Sequence, residues 1–321
     1  MTTATPQQPL GSGFGARSTA TEVLAGIDLS GRLAVVTGGY SGIGVETTRA
    51  LTAAGAHVVV PARRPEAVPE DLAKSDRVEV HRLDLADLGS VRAFAEEFLA
   101  IGRGIDVLIN GAGVMACPET RVGPGWEAQF ATNHLGHYAL TNLLWPALVA
   151  DGGARVVAVS SSAHRLSPIR WDDVMFETGY DKWLAYGQSK TADVLFAVEL
   201  DARGREHGVR AFAVHPGGIL TPLQRHLPKE EMVAMGWIDE DGNTLVPAFK
   251  SPEQGAATQV WAATSPQLEG KGGVYLEDCE VAPLWQGGEA PAGVRAYAVD
   301  AAEASRLWAL SAQLTGIDAF E

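Results

Sequence analysis

The chain has 321 residues, 46% hydrophobic and 20% charged, which suits a large buried core and excludes a disordered or fibrous protein. Its 25 Lys and Arg against 39 Asp and Glu leave a net charge of −14, the wrong sign for a generic binder of the nucleic-acid backbone. Two cysteines, Cys117 and Cys279, make neither a disulfide framework nor a zinc spacing and fit a reducing cytosol.

Residues 1–30 read as a loose lead, Thr2–Arg17, followed by a short helix capped by Ser18, with Glu22 in its first turns and Leu24 facing inward. They lack the basic start and apolar stretch of a secretory leader. No run reaches 18 consecutive apolar residues, so no membrane span is expected and the location reads as cytoplasmic. Short β-branched runs then alternate with helical stretches: Leu33–Thr37, His57–Val60, Val78–His81, Asp106–Asn110, Arg155–Ser160, Arg210–His215 and Gly273–Leu276 read as strands. Ser90–Ile101 and Thr191–His207 read as helices between them. Strands apolar on both faces and separated by helices predict a seven-stranded parallel sheet covered on both sides. No linker splits the chain, so residues 31–321 read as one α/β domain. The stretch Pro222–Ser251 breaks the alternation and reads as an inserted helical flap.

The first strand runs into Thr37-Gly38-Gly39-Tyr40-Ser41-Gly42-Ile43-Gly44. A glycine-rich turn alone is often only a turn. Between a buried strand and a helix, it lets the backbone approach a pyrophosphate at the helix N-terminus. The second strand ends in Ala62-Arg63-Arg64. Ala62 has no carboxylate for a ribose diol, whereas Arg63 and Arg64 suit a 2′-phosphate, which favours NADP(H) over NAD(H). The bland alternative is two solvated arginines. Asp84-Leu85 after the third strand could touch adenine, or Asp84 could cap the next helix.

Tyr186 and Lys190 are four apart in Tyr186-Gly187-Gln188-Ser189-Lys190, on one face and about 6 Å apart along the axis if helical. An ammonium about 4 Å from a phenol, at an effective dielectric near 20, contributes roughly 4 kcal/mol toward its ionisation before desolvation is counted. Ser160-Ser161-Ser162 closes the fifth strand, at the sheet edge where such folds place ligands. Asn133 falls inside a helical stretch, where Asn is a poor former, so a side-chain role is expected. His134 and His137 read as packing histidines rather than metal ligands, and no metal is called for.

These segments together resemble the short-chain dehydrogenase/reductase family, and within it the retinol dehydrogenase and WW-domain oxidoreductase-like group. The resemblance runs from about Ser18 to the C-terminus through TGGYSGIG (37–44), LDLAD (83–87), INGAG (109–113), NHLGH (133–137), VSSSAH (159–164), YGQSK (186–190) and HPGGILT (215–221). It implies a doubly wound Rossmann fold and a catalytic tetrad of Asn133, Ser161, Tyr186 and Lys190, with Asn133 anchoring a water in a proton relay. The implied cofactor contacts are Gly38, Tyr40, Ser41, Gly42, Ile43 and Gly44, then Arg63, Arg64, Asp84 and Leu85. Asn110, Gly111 and Ala112 follow, with Tyr186, Lys190, Pro216, Gly217, Ile219 and Thr221. One departure is Asn110-Gly111, where the family commonly has Asn-Asn, which puts a support of the central sheet in doubt.

The implied activity is an NADP(H)-dependent carbonyl reductase or alcohol dehydrogenase acting on a small-molecule substrate, a ketone, aldehyde or alcohol. An NADP(H)-binding sensor or scaffold without turnover is the alternative, against which the intact tetrad argues. A nucleotide-sugar epimerase or dehydratase shares the Tyr–Lys logic, but the C-terminal region is short for its subdomain. Met115, His164, Trp183, Trp237 and the flap are expected to line the substrate pocket. Relatives of this kind often pair through the helices carrying Asn133 and Tyr186, which leaves a homo-oligomer open.

Overall fold

In the computed structural model, which describes residues 5–287 and 292–321, the alternation becomes a twisted sheet with helices on both faces. The first residues of the lead lie outside the described part. The strands are β1 (Leu33–Thr37), β2 (His57–Ala62), β3 (Val78–Arg82), β4 (Val107–Asn110), β5 (Arg121–Val122), β6 (Trp126–Glu127), β7 (Arg155–Val159), β8 (Arg210–His215), β9 (Val274–Glu277) and β10 (Glu280–Val281). The main sheet has the order β10-β9-β8-β7-β4-β1-β2-β3, and β5 and β6 form a separate hairpin. The seven strands expected from the sequence are parallel. An eighth, β10, is antiparallel to β9. The β9–β10 turn places Asp278 and Cys279 at φ 53 and 57, two consecutive left-handed residues as a tight two-residue hairpin requires.

The helices are α1 (Ala20–Val23), α2 (Ile43–Ala53), α3 (Glu70–Ala73), α4 (Leu88–Ala100), α5 (Ala128–Phe130), α6 (Gly136–Leu143), α7 (Trp145–Leu148), α8 (Lys182–Gly204), α9 (Lys229–Ala234), α10 (Pro252–Thr264) and α11 (Ala301–Thr315). Phe94 and Phe98 of α4, Tyr138 of α6, Phe196 of α8 and Trp308 of α11 fill one side of the sheet. Leu51 of α2, Val23 of α1 and Trp261 of α10 fill the other. Both cysteines are buried and unpaired, and no described helix is long and apolar enough to cross a membrane.

Two N-terminal expectations are corrected. Thr19, not Ser18, caps α1, because Thr19 and Glu22 satisfy each other's backbone N–H in a capping box. The described part of the lead is not loose. Gln7 adds to the sheet edge through Tyr275 and Ala282, and the Glu280 carboxylate accepts the N–H groups of Leu10, Gly11 and Ser12 at 2.6–2.8 Å. Arg17 then holds the Phe249 carbonyl at the far end of the flap. The flap is helical only in its first half, through α9. Its second half is a loop closed by an Ile238–Thr244 bridge.

Candidate active site

The chain crosses from one half of the sheet to the other between β1 and β4, and a cleft of 810 Å³ opens at the strand C-termini there. Its cofactor-side wall is the turn between β1 and α2. Gly42 caps α2 at φ 54 with no side-chain hydrogen bond, so the helix N-terminus faces the cleft. A Cβ on Gly44 would lie 2.1 Å from the Gly38 carbonyl oxygen, so only glycine allows this tight turn. Gly38, Tyr40, Ser41, Ile43, Arg63, Arg64, Asp84, Leu85, Gly111 and Ala112 also line the cleft, as do Pro216, Gly217, Ile219 and Thr221 after β8. Asp84 does not cap α4. Its carboxylate accepts the Ala86 N–H, and Asp87 takes the capping role.

Arg63 and Arg64 are exposed at the rim. Sequence reasoning missed a third arginine there: Arg225, from the flap, donates to the carbonyls of Pro222 (3.2 Å) and Gly113 (3.4 Å). Burial, and then the charge of Arg63, lower its pKa from the ordinary value. Among the described residues, none of the three arginines has a carboxylate at ion-pair distance. No sequence period marks Arg225, because it reaches the cleft only through the path of the flap.

The floor is built by β7 and α8. Asp181 caps α8 by accepting the N–H groups of Trp183 and Leu184, and this starts the helix eight residues before Lys190. Tyr186 and Lys190 thus share one face, with the Lys190 Nζ 5.8 Å from the Tyr186 ring centre. Of the three serines, Ser160 donates its hydroxyl to the Lys190 main-chain carbonyl at 2.7 Å. Ser161 is the residue whose hydroxyl reaches the Tyr186 phenol. The expectation of a depressed tyrosine is corrected: burial raises the Tyr186 pKa more than Lys190 and the Ser161 hydrogen bond lower it. Tyr186 is therefore a neutral phenol at pH 7.

Asn110 and His164 stand elsewhere, and Asn133 sits behind the cleft wall, where a Cβ on Gly113 would meet its Oδ1 at 3.1 Å and Lys190 Nζ at 3.9 Å. Asn110 turns from the cleft and donates to Thr141 Oγ1 at 3.1 Å. Asn133 lies in a π-helical turn, Ala131–Leu135, and its amide clamps both main-chain groups of Val114 and the Ser189 hydroxyl. Its side chain is thus committed to protein groups, and its carbonyl accepts from His137 Nδ1 at 2.8 Å. His164 does not line the substrate pocket. It donates to the Ser161 carbonyl and accepts the Arg295 N–H.

His137 also resolves the Asn110-Gly111 departure. Its Nδ1 carries a proton, so neutral Nε2 accepts from the Thr37 hydroxyl at 2.8 Å. That hydroxyl in turn accepts the Gly111 and Ala112 N–H groups, joining β1 to the end of β4 without a second asparagine. His134 is a packing residue bonded to Ser311. Burial pushes the pKa values of His134 and His137 down to about 3 and about 4.

Above Tyr186 the cleft is apolar. Met115, Trp183 and Trp237 line it as expected, together with Leu223, Met235 and Phe249, which the sequence did not single out.

A sequence profile described as short chain dehydrogenase matches residues 32–232. A probable oxidoreductase of Streptomyces antibioticus is 49% identical over 293 residues, covering 88% of this chain and 97% of that protein. Retinol dehydrogenase 12 of Mus musculus is 38% identical over 297 residues, covering 91% and 88%. A crystal structure of an uncharacterised protein from Mycobacterium paratuberculosis superposes with a TM-score of 0.72 at 36% identity, over 95% of this chain and 99% of that one. The glycine turn, the Ser161–Tyr186–Lys190 floor and these likenesses agree: the chain belongs to the short-chain dehydrogenase/reductase family, in its retinol dehydrogenase-like group, and is an oxidoreductase.

Proposed function

We propose that the protein is an NADP(H)-dependent carbonyl reductase or alcohol dehydrogenase acting on a largely apolar substrate. The observation that carries this reading is the floor of the cleft, where the Tyr186 phenol meets the Ser161 hydroxyl and the Lys190 charge at one end of a glycine-walled channel. The residues fit a phosphorylated dinucleotide. A Cβ on Gly44 would collide with the Gly38 carbonyl, so glycine keeps the turn tight and its backbone close to the cleft, and among the described residues none of the three rim arginines has a carboxylate at ion-pair distance. Gly38–Gly44 would hold the pyrophosphate, Arg63 and Arg64 the 2′-phosphate, and Lys190 the nicotinamide ribose. When bound, the nicotinamide supplies or accepts the hydride at C4.

In reduction, Tyr186 gives its proton to the carbonyl oxygen as the carbon gains the hydride, and the products are the alcohol and the oxidised cofactor. A raised phenol pKa keeps that proton in place at neutral pH. Ser161 donates to the same oxygen as negative charge develops on it. Met115, Trp183 and Trp237 exclude water and offer no ionic partner, so the substrate is an uncharged, bulky ketone, aldehyde or alcohol.

The test is NADPH consumption against a panel of ketones and aldehydes, repeated with Tyr186→Phe. The variant should lose about 10²–10⁴-fold in kcat while fluorescence titration shows unchanged cofactor binding. Wild-type turnover in the variant would refute the mechanism.

A further inference from the structure

Lys190 is not alone at the base of the cleft. An ammonium has three hydrogens to give. One goes to the Val159 carbonyl at 2.8 Å and one to Asp193 Oδ2 at 2.9 Å. Asp193 lies three residues further along α8, on the same face, and both side chains are only 7% exposed. The third hydrogen is left for the cleft, which Lys190 lines. The head group is thus pinned between a strand carbonyl and a carboxylate, and its remaining donor direction is set by those two bonds.

The pair also changes what Tyr186 feels. The charged or titratable groups that face it are few. Lys190 and Asp193 come from α8 itself, Tyr275, from β9, is held neutral by burial, and His137, from α6, which faces Lys190, is also neutral. Lys190 favours the phenolate and Asp193 opposes it. Among the described residues, Lys190 is the one charged group that acts on Asp193.

We propose that Asp193 is a positioning residue: its carboxylate orients the Lys190 ammonium and cancels part of its field at the Tyr186 hydroxyl, biasing the site toward donating a proton to a carbonyl. The proposal rests on the reading that Tyr186 exchanges the proton with substrate. A bare ammonium beside the phenol would favour the phenolate, the form that accepts a proton in alcohol oxidation. The compensated ammonium favours the phenol, the form that donates in reduction. Burial pushes the Asp193 pKa up to about 6 even against Lys190. Above that pH it is ionised, so the compensation is in force across the range in which Tyr186 titrates.

Asp193→Asn keeps the size and one acceptor oxygen but removes the charge. Two readouts apply. Ultraviolet difference titration, with Tyr186→Phe as the blank, follows the Tyr186 phenolate with no substrate present. The pH profile of kcat/KM for alcohol oxidation follows the same group in turnover. In Asp193→Asn both midpoints should fall by about one pH unit, and Asp193→Glu, which restores the charge, should return them toward wild type. If Asp193→Asn does not fold, Asp193→Ser tests the same loss of charge. An unmoved or raised Tyr186 midpoint in a folded neutral variant would overturn the proposal. Retained turnover in Tyr186→Phe would instead refute the catalytic reading, and the phenolate titration would still decide the role of Asp193.

Discussion

Two regions meet at the cleft and are built differently. On α8, every residue from Ala185 to Ala197 is buried, so Tyr186, Lys190 and Asp193 are fixed by packing on all sides. Across from it, the segment 222–251 buries only Leu227, Ile238 and Lys250, and α9 buries nothing. The flap is held by polar ties, Arg17 on its carbonyls, Lys182 on Glu231, and Gln224 in a capping box with Thr221, and by a small apolar cluster of Leu223, Leu227, Met232 and Trp237 against Met115 and Tyr186. Tyr186, Lys190 and Asp193, to which we assign the handling of the proton, thus stand on a frame with little freedom, while the flap wall of the cleft can be re-set by changing a few exposed contacts. That division allows one chemistry to serve many substrates.

The sharpest way to break the frame and spare the flap is acid. His164 holds the Ser161 carbonyl through Nδ1 and accepts the Arg295 N–H through Nε2, so it must be neutral to make both bonds. Burial pushes its pKa down to about 4, below the unfolded value of 6.5. The unfolded chain therefore takes up a proton that the native chain refuses. Stability from this residue is complete above pH 6.5 and is lost as pH falls toward 4, by about 3 kcal/mol. Urea unfolding at pH 7 and at pH 4.5 should show His164→Gln losing less stability on acidification than wild type. Equal losses would mean that His164 charges freely and that the Ser161 loop is not locked.

The next effect lies at the rim, between frame and flap. Arg63, just after β2, has no carboxylate at ion-pair distance among the described residues, and a charge-assisted contact with a 2′-phosphate contributes about 1.5–3 kcal/mol. Arg63→Ala should raise KM for NADPH by about 10- to 150-fold and leave KM for NADH and the saturated kcat nearly unchanged. If both cofactors weaken alike, or if the wild type uses NADH as well as NADPH, the arginines are surface charges and the cofactor assignment fails.

Much of the frame was legible because its signals are local. Buried strands read as apolar runs, the turn at Gly38–Gly44 as glycine spacing, and Tyr186 with Lys190 as a four-residue step. What escaped the sequence depends on distant partners. β10 is two residues long and exists because β9 offers an edge. The lead looks loose in composition, yet its Gln7 side chain bonds the Tyr275 backbone and Glu280 accepts its backbone N–H groups, partners some 270 residues away. Asn133 was singled out as a misfit in a helix. That it staples Val114 and Ser189, rather than facing the cleft, follows from a π-helical turn that no periodicity encodes. The Tyr186 ionisation was misjudged for a similar reason: the sequence displays Lys190 but not the burial and the Asp193 charge that outweigh it.

The smallest effect is expected in the flap. Lys182, at the start of α8, meets Glu231 of α9 at 2.5 Å, and the Trp183 indole N–H donates to the same carboxylate at 3.3 Å. The Lys182 hydrogen bond holds the Glu231 carboxyl below the usual carboxylate range. Both side chains are about 30% exposed, so solvent screening limits the pair to about 0.2–1 kcal/mol. Lys182→Met should therefore leave the melting temperature and KM for NADPH almost unchanged. It should free the flap, which carries Trp237 over the apolar pocket, and raise KM for the carbonyl substrate by about two- to fivefold. Hydrogen exchange should quicken in residues 222–251 and stay as in wild type over Ala185–Ala197. Faster exchange in both segments would show that flap and frame move as one body, and the contrast drawn between them would fall.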